Sequence, residues 1–458
     1  MSPLATQNRS LPKYVQNEFE EYLKCGMLSH GFLRVCCQCC HHERLVAFSC
    51  KRRGFCPSCC GKRMTENAAL LVDTVLPHQP MRQWVLSVPF PLRLLFASQP
   101  QVMGKALKIV YRVIAAFLIR KSGYNHKSAR TGAVTLIQRF GSALNLNIHF
   151  HMLFLDGVYI DIESGQGQQR FKPSDPHQAS EIVELAHKIS VRLAQYLVRA
   201  GLIEGDAECH YLSDEALGEE MSEHQGYSIN YRISVGPQKG RKVFALQTLP
   251  AIQNDGQSGA LLGKVAGFSL HAGVAAKASE RDKLERLCRY ITRPPVSTKR
   301  LSLTGQGHIC YELKTPYRNG TTHVIFEPLD FMSKLAALVP VPRVNLTRYH
   351  GVFAPNSKHR SDVIIKRNAQ GSDIESVDEC EQGNAVRRAS MTWAQCLKRA
   401  FKIDTDICEV CQGPAKVIAC ITDPVVINQI LTHLQWKPRI QFGMLPANRA
   451  PPARLLFD

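Results

Sequence analysis

The chain has 458 residues, 45% of them hydrophobic, so it can bury more than one core, and its length suggests about three domains. Its 57 Lys and Arg outnumber 38 Asp and Glu, and this net charge of +19 favours a polyanionic partner such as nucleic acid. No run approaches the ~18 apolar residues of a membrane-spanning helix and residues 1–14 lack an apolar signal core, so we expect no membrane partner and a cytoplasmic, nucleoid-associated protein.

The first predicted element is a cysteine-rich module over residues 1–78, which we expect to bind DNA. Cys37-x2-Cys40 is followed after 15 residues by Cys56-x2-Cys59, a spacing typical of four thiolates that close one tetrahedral Zn²⁺ site. Nine of the 17 cysteines lie between residues 25 and 60, and in a reducing compartment such clustering indicates metal binding and not disulfides. The exact set of zinc ligands stays open, because several other residues could complete a site: Cys36, Cys39, Cys50, Cys60, His41 and His42. Cys50 is our candidate for a fifth zinc-binding cysteine, which would bind a second ion together with a neighbouring residue.

Cations surround the second cysteine pair. Lys51, Arg52 and Arg53 precede it, and Lys62 and Arg63 follow it. On a zinc-stapled loop these side chains are predicted to contact DNA phosphates. The alternative is an ordinary solvated charge run.

The second block, residues 79–335, is predicted to be an α+β catalytic domain. After a helix over 64–76, the pattern indicates a strand over 83–90, a helix over 103–121, a hairpin of strands over 133–140 and 147–155, and a helix over 179–200. Antiparallel strands crossed by helices fit an α+β and not a doubly wound fold. No Gly-rich phosphate loop is found, so we expect no nucleotide cofactor.

Two histidines, His149 and His151, lie in the apolar run NIHFHMLFL of residues 147–155. In a strand, side chains two apart point to the same face. Unpaired imidazoles in a core strand cost roughly 1–3 kcal/mol each, and a divalent cation would offset that cost. The alternative is a pair of polar residues on a half-exposed strand face.

Tyr290 is predicted to lie on a helix within residues 279–292, ended by Pro294. The apolar stripe of this helix lies about 120° from the tyrosine, at ~100° per residue, so the hydroxyl should leave the core beside Arg286 and near Arg293. Those cations could hold a phosphate next to a tyrosine nucleophile. The alternative is a rim tyrosine that covers the core with its ring.

Beyond residue 298, the pattern predicts a hairpin of segments 300–314 and 321–328, which should extend the catalytic domain. Residues 336–458 are expected to form a basic C-terminal region, with a polar linker over 367–390. Cys408-x2-Cys411 could bind a second zinc ion with Cys420 and His433, while segment 425–434 could equally be a packed helix.

These elements, in this order, resemble one family: the rolling-circle transposases of the insertion-sequence ninety-one and common-region group, in the HUH endonuclease superfamily. The resemblance covers nearly the whole chain. It rests on SCKRRGFCPSC (49–59), IQRFGSALNLNIHFHMLFLDGVY (137–159), RYITRPP (289–295), the segment from Arg300 to Phe331, and RYHGVFAPNS (348–357).

The resemblance implies an HUH-type fold and a DNA transposase that nicks and rejoins single-stranded DNA. Tyr290 would attack a backbone phosphate and hold the 5′ end as a phosphotyrosine, while His149 and His151 would bind Mg²⁺ or Mn²⁺. The partners would be the ends of the mobile element and its target DNA, contacted in part through Arg286 and Arg293. A homo-oligomer is compatible with this scheme.

One position of the family pattern differs here, and the third metal ligand stays open. The founding pattern has a second tyrosine four residues before the first, where this chain has Arg286. A hard cation also wants oxygen ligands, and Gln138 on the neighbouring strand is our candidate, with Asp156 as the alternative. Two other functions stay open: a zinc-dependent DNA-binding regulator, which would not need Tyr290, and a replication initiator or relaxase.

Overall fold

The computed structural model describes residues 11–161, 169–205, 210–212, 221–250, 261–364 and 407–436. The predicted linker over 367–390 lies outside the described residues. Within the described ranges the helices are α1 (Lys13–Lys24), α2 (Pro57–Leu70), α3 (Phe90–Ser98), α4 (Pro100–Lys121), α5 (Ala179–Arg199), α6 (Ser222–Ile229), α7 (Arg281–Ile291), α8 (Pro328–Leu338), α9 (Arg360–Val363) and α10 (Pro424–Trp436). A π-helical stretch, Leu71–Val75, continues α2, and short 3₁₀ turns cover Leu28–His30 and Thr298–Arg300.

The strands of the same ranges are β1 (Phe32–Cys37), β2 (Glu43–Ala47), β3 (Met81–Ser87), β4 (Ala129–Arg130), β5 (Gly132–Phe140), β6 (Leu146–Leu155), β7 (Gly157–Asp161), β8 (Gln169–Pro173), β9 (Ile203–Gly205), β10 (His210–Leu212), β11 (Phe244–Gln247), β12 (Leu262–Val265), β13 (Phe268–Ala276), β14 (Leu301–Leu303), β15 (Ile309–Glu312), β16 (Thr321–Phe326), β17 (Thr347–Gly351) and β18 (Ala415–Ile421). The mixed α+β class with antiparallel sheets is confirmed.

The central sheet of the described chain has the order β12-β13-β3-β6-β5-β17, and every neighbouring pair is antiparallel. The predicted hairpin of β5 and β6 is confirmed, with Gln138 opposite His149. Both strands are almost entirely buried because helices cover both faces of the sheet, which explains their near-continuous apolar sequences.

The two faces of the central sheet have separate cores. Trp84, Phe150 and Met152 point to the face covered by α3, α4 and α5. Residues Val134, Leu136 and Leu153 point to the other face, where they pack with the apolar stripe of α7 formed by Leu284, Cys288 and Ile291. The histidine strand therefore lies directly beneath the helix that carries Tyr290.

The central sheet includes residues beyond 335, the end of the block predicted to be catalytic. Thr347–Gly351 forms the edge strand β17 of the central sheet and pairs with β5. The predicted hairpin around residues 317–320 is confirmed by the pairing of β15 with β16, but it belongs to a separate sheet, β11-β16-β15-β14. That sheet packs against α1 and α8 through a third core that includes Val15, Tyr311 and Phe326.

The C-terminal segment 407–436 does not stand apart as a small domain of its own. Strand β18 pairs antiparallel with β1, in the sheet β18-β1-β2, so this segment completes the N-terminal module. Sequence spacing could not reveal this, because a pairing over nearly the whole length of the chain leaves no local pattern. Among the described residues, no helix is both long and apolar enough to cross a membrane.

Candidate active site and cysteine groups

His149 and His151 lie on one face of β6, as predicted, with ring centroids 4.9 Å apart. The Nδ1 of His149 is 2.8 Å from the carbonyl oxygen of Asn147, to which it donates a hydrogen bond. This bond places the ring proton on Nδ1 and leaves Nε2 as the atom with a free lone pair. The His151 ring is buried, and its Nε2 has no hydrogen-bond partner among the residues that the structure describes.

Both imidazoles are held in the neutral form. Burial lowers the pKa of His149 to about 4, and the positive charge of Arg293 acts in the same direction. Burial also lowers the pKa of His151 well below its usual value, with further contributions from His149 and Arg293. Since neutral imidazole is the metal-binding form, the pair suits a cation at neutral pH.

The Gln83 side chain of β3 fixes the His151 ring, with its amide nitrogen 2.7 Å from Nδ1. In this orientation the amide donates to Nδ1, so the proton of a neutral ring sits on Nε2. If the amide turns over, Nδ1 donates to the amide oxygen and the buried Nε2 becomes free to bind a cation. The orphaned Nε2 therefore fits a metal ligand that Gln83 can switch into the required tautomer.

The amide of Gln138 connects the histidine strand to the tyrosine helix. Gln138 lies opposite His149 on β5, and its Nε2 donates a 2.9 Å hydrogen bond to the carbonyl of Ile291, the last residue of α7. Tyr290 is the residue immediately before, so this bond brings the end of the helix to the edge of the histidine pair. The amide oxygen of Gln138 remains the atom that could face a cation.

Tyr290 leaves the core, as predicted, and is 38% exposed. The guanidinium of Arg293 lies 4.2 Å from the centre of the Tyr290 ring and donates a 3.0 Å hydrogen bond to the tyrosine carbonyl. The Lys314 ammonium lies 5.0 Å from the same ring centre. Arg93 also lies close enough to His149 to lower its pKa further. The tyrosine and the histidine pair thus share one cationic environment.

Asp156, the alternative oxygen ligand, is engaged elsewhere. Both of its carboxylate oxygens accept hydrogen bonds from Arg82, at 2.9 and 2.7 Å, and His177 lies 3.4 Å away. Within the described ranges, no third His, Cys, Asp or Glu joins His149 and His151 in a metal-sized group. Gln138 is therefore the stronger candidate for an oxygen ligand.

Two family models match the chain. The family model described as "Putative transposase" matches residues 132–361, which include both histidines, Gln138 and Tyr290. The model of a transposase zinc-binding domain matches residues 2–88. The chain belongs to the insertion-sequence ninety-one-like transposases. No curated protein and no solved structure matches it.

The N-terminal module of this transposase is a zinc-binding domain, and one cysteine group lies wholly inside it: Cys25, Cys50, Cys56 and Cys59. Its Sγ–Sγ separations include 3.8 Å for Cys25–Cys59, 3.4 Å for Cys50–Cys59 and 3.7 Å for Cys25–Cys56. A tetrahedron with Zn–S bonds of about 2.3 Å has sulfur–sulfur edges of about 3.8 Å. The four thiols therefore fit one zinc ion.

The structure divides the two C-x2-C pairs that the spacing suggested as one site. Cys56 and Cys59 join Cys25 and Cys50, whereas Cys37 and Cys40 lie in a second group with Cys408 and Cys411. The physical reason is that β1 and β2 form a hairpin that directs Cys37 and Cys40 toward β18, away from the start of α2. Cys420 and His433 are not in this group, in contrast to the expected C-terminal site.

The basic residues around α2 serve different purposes. Arg53 donates a 2.9 Å hydrogen bond to the carbonyl of Val344, and Arg63 donates one of 3.0 Å to the carbonyl of Lys51. Each of these two guanidinium groups thus binds a loop carbonyl, and their contact with DNA phosphates stays a prediction. Lys51 is exposed, and Arg52 is partly exposed.

Lys62 and Arg286 are two other predicted DNA contacts, and each lies on a helix. Lys62 lies 3.8 Å from Glu66 in an ion pair along α2. Arg286 is exposed on α7, one turn before Tyr290. Of the predicted DNA contacts, Lys51 and Arg286 are thus the exposed ones.

Three residues of this site were not found from the sequence. Gln83 could have been suspected from its place in a strand, but which strand lies beside β6 has no local signal. Lys314 reaches Tyr290 from a different sheet, and Cys25 lies 25 residues before its nearest partner in the chain, Cys50. Each depends on tertiary contacts between distant segments.

Proposed function

We propose that this transposase nicks and rejoins single-stranded DNA through a covalent 5′-phosphotyrosine on Tyr290, in a rolling-circle type of transposition. The observation that carries the proposal is the Gln138–Ile291 hydrogen bond, which anchors the tyrosine end of α7 to the strand beside His149. An exposed tyrosine, a pair of neutral buried histidines and the positive charges of Arg293 and Lys314 then meet at one place. A protein that only bound DNA would not need this combination.

In the proposed reaction the Tyr290 oxygen attacks a backbone phosphorus. A P–O bond forms to the tyrosine, the bond from phosphorus to the 3′ oxygen breaks, and the proton released by the tyrosine is balanced by the one the 3′ oxygen gains. Negative charge that builds on the phosphate would be stabilised by Arg293 and Lys314, which already lie over the tyrosine ring. Attack by another 3′-OH reverses the step and rejoins DNA without ATP.

His149 and His151 would hold Mg²⁺ or Mn²⁺ through their Nε2 atoms, with the amide oxygen of Gln138 as a third ligand. Such an ion supplies Lewis-acid polarisation of the scissile phosphate. Gln83 would set the tautomer of His151, and the carbonyl of Asn147 sets that of His149.

A single-stranded substrate is favoured because the nucleophile must reach one phosphate in line, and a flexible strand adapts to a basic surface more readily than a duplex. Arg286 occupies the position of a second tyrosine in the founding pattern. Tyr290 would therefore attack the donor and target strands in turn, or the tyrosine of a second copy of the chain would attack one of them.

The test is to trap the covalent intermediate. Purified protein is incubated with a single-stranded oligonucleotide from its own element's end, with Mg²⁺ or Mn²⁺, and the products are separated on a denaturing protein gel. With the label at the 3′ end of the oligonucleotide, the tyrosine-linked fragment carries the label, and a shifted protein band is expected. With the label at the 5′ end, the protein band should stay unlabelled.

Variants connect the product to the site. Tyr290→Phe and the double variant His149→Ala/His151→Ala should give no adduct while still binding DNA. Tyr196→Phe, which changes a tyrosine on α5 across the central sheet, is the matched control and should behave as wild type. Tight DNA binding without an adduct under either metal would reject the proposal and favour a DNA-binding regulator.

A further inference from the structure

The group of Cys37, Cys40, Cys408 and Cys411 joins two ends of the chain. Cys37 and Cys411 are 374 residues apart in sequence, and their sulfurs lie 3.3 Å apart. Cys40 and Cys408 are 368 residues apart, with sulfurs at 3.6 Å. We propose that these four thiolates bind a second zinc ion, which fastens segment 407–421 to the N-terminal module. This inference does not depend on the proposed nicking chemistry.

The sulfur positions fit a tetrahedral ion. All four Sγ atoms lie within 4.8 Å of one another, and the separations of 3.3 and 3.6 Å lie near the ~3.8 Å edge of a zinc tetrathiolate. A disulfide needs an S–S distance of about 2.05 Å, so neither close pair is bonded in this geometry. Four converging thiols without a cation would leave like groups crowded together.

The two cysteine pairs have matching loop conformations. In each, the residue after the second cysteine has a left-handed backbone, with φ of 59° at His41 and 59° at Gln412. Backbone N–H groups point at the first sulfur of each pair: those of Cys39 and Cys40 at Cys37, 3.3 and 3.5 Å away, and that of Val410 at Cys408, 3.4 Å away. Such N–H donors stabilise a thiolate more than a thiol, as a metal site requires.

The backbone around the group is closely fitted. The N–H of Gln38 donates to the carbonyl of Pro414, and the N–H of Cys408 donates to the carbonyl of Gly413, at 2.9 and 2.7 Å. A Cβ atom on Gly413 would lie 2.7 Å from the Cys39 sulfur and 3.2 Å from the Cys411 sulfur, so a larger residue at this position would require these side chains to move. Gly413 therefore lies directly against the cysteine side chains of both loops.

The proposal adds two ligands that lie outside the zinc-binding family match, which ends at residue 88. Its consequence concerns how β18 is held against β1. The β1–β18 pairing alone offers a short, partly exposed strand, because most side chains of β18 are exposed or half-buried. Metal binding free energy stabilises the folded arrangement directly, so the ion would hold β18 in place where apolar burial is small.

The first measurement is the metal content of the full-length protein by elemental mass spectrometry. We expect two zinc ions per wild-type chain and one in Cys408→Ser/Cys411→Ser. Cys420→Ser is the matched control. Cys420 lies on β18, outside both cysteine groups, so this variant should retain two ions. One zinc ion in wild type, or two in Cys408→Ser/Cys411→Ser, would overturn the proposal.

A second measurement separates zinc from the alternatives. Hydrogen exchange of residues 415–421 should become faster in Cys408→Ser/Cys411→Ser, while exchange in β6 stays as in wild type, which also shows that the variant is folded. Unchanged exchange at 415–421 would show that no ion holds the strand. A shortfall of titratable thiols in denatured, unreduced wild-type protein would show disulfides at this group and would also overturn the assignment.

Discussion

Replacing Arg293 tests how much the cationic environment of Tyr290 contributes to the proposed reaction. The guanidinium lies 4.2 Å from the tyrosine ring centre. At about 4 Å, two unit charges interact by about 4 kcal/mol at an effective dielectric constant of ~20. Because Tyr290 is 38% exposed, solvent screening reduces this, and we expect Arg293→Gln to lose about 2–4 kcal/mol of transition-state stabilisation.

That loss corresponds to a decrease of roughly 30-fold to 10³-fold in the rate of adduct formation at saturating DNA and Mn²⁺. The assay is single-turnover labelling of the protein with the 3′-labelled oligonucleotide. Arg293→Lys keeps the charge but loses the planar fork, so it should retain a larger share of the rate.

The matched control is Arg286→Gln, which changes an exposed arginine of α7 seven residues before Arg293. Arg293 also donates to the carbonyl of Tyr290 and lies 5.4 Å from the ring centre of Phe140, so thermal unfolding of each variant must be measured as well. A folded Arg293→Gln protein with the wild-type labelling rate would refute the electrostatic role. Equal losses in Arg286→Gln and Arg293→Gln would show that the effect is not specific to the arginine beside the Tyr290 ring.

Three further predictions concern buried polar groups. Gln83→Leu should raise the Mn²⁺ concentration for half-maximal labelling about 10-fold to 100-fold, because His151 loses the partner of its Nδ1, and Gln83→Glu should restore it. Burial lowers the pKa of His350 from 6.5 to about 4. The free energy of unfolding should therefore fall by up to about 3 kcal/mol as the pH drops from 6.5 to about 4. Denaturant titrations of His350→Phe should show a weaker dependence of the free energy of unfolding on pH over this interval. Asp156→Asn should lower the free energy of unfolding by about 3 kcal/mol, because it leaves Arg82 largely buried without its charge partner; an unchanged melting temperature would contradict this.

Much of the block that contains His149, His151 and Tyr290 could be predicted because its signals are local. The alternation of residues 147–155 defines one strand face, and the turn before it defines a hairpin, so the register that sets Gln138 opposite His149 follows almost directly. The apolar stripe of α7 likewise determines that Tyr290 faces outward. These inferences need only the period of a strand or a helix.

The cysteine grouping could not be predicted for the opposite reason. Sequence spacing favoured joining Cys37 and Cys40 to Cys56 and Cys59, since the pairs are close in the chain. The decisive interaction is the pairing of β1 with β18, which brings Cys408 and Cys411 to the first pair and leaves Cys25 and Cys50 for the second. Identical local motifs can combine in several ways, and only long-range strand pairing selects one.

Gln138 has two roles that one substitution can separate. Its amide nitrogen holds the end of α7 through the Ile291 carbonyl, and its oxygen is the proposed cation ligand. Gln138→Glu removes the N–H donor and sets a carboxylate against the carbonyl, which should cost roughly 1–3 kcal/mol at the helix end and lower the labelling rate at saturating Mn²⁺ about tenfold or more. The carboxylate also binds a hard cation better than an amide oxygen, so the half-saturating Mn²⁺ concentration should fall.

The two effects therefore move in opposite directions and can be read from one titration of labelling rate against Mn²⁺. Gln138→Leu, which has neither donor nor ligand, should lower the rate and raise the half-saturating concentration together. If Gln138→Glu leaves that concentration unchanged, Gln138 does not touch the cation, and its contribution is the hydrogen bond that positions Tyr290. If instead the saturated rate is unchanged, α7 is held well enough by the Leu284, Cys288 and Ile291 stripe alone.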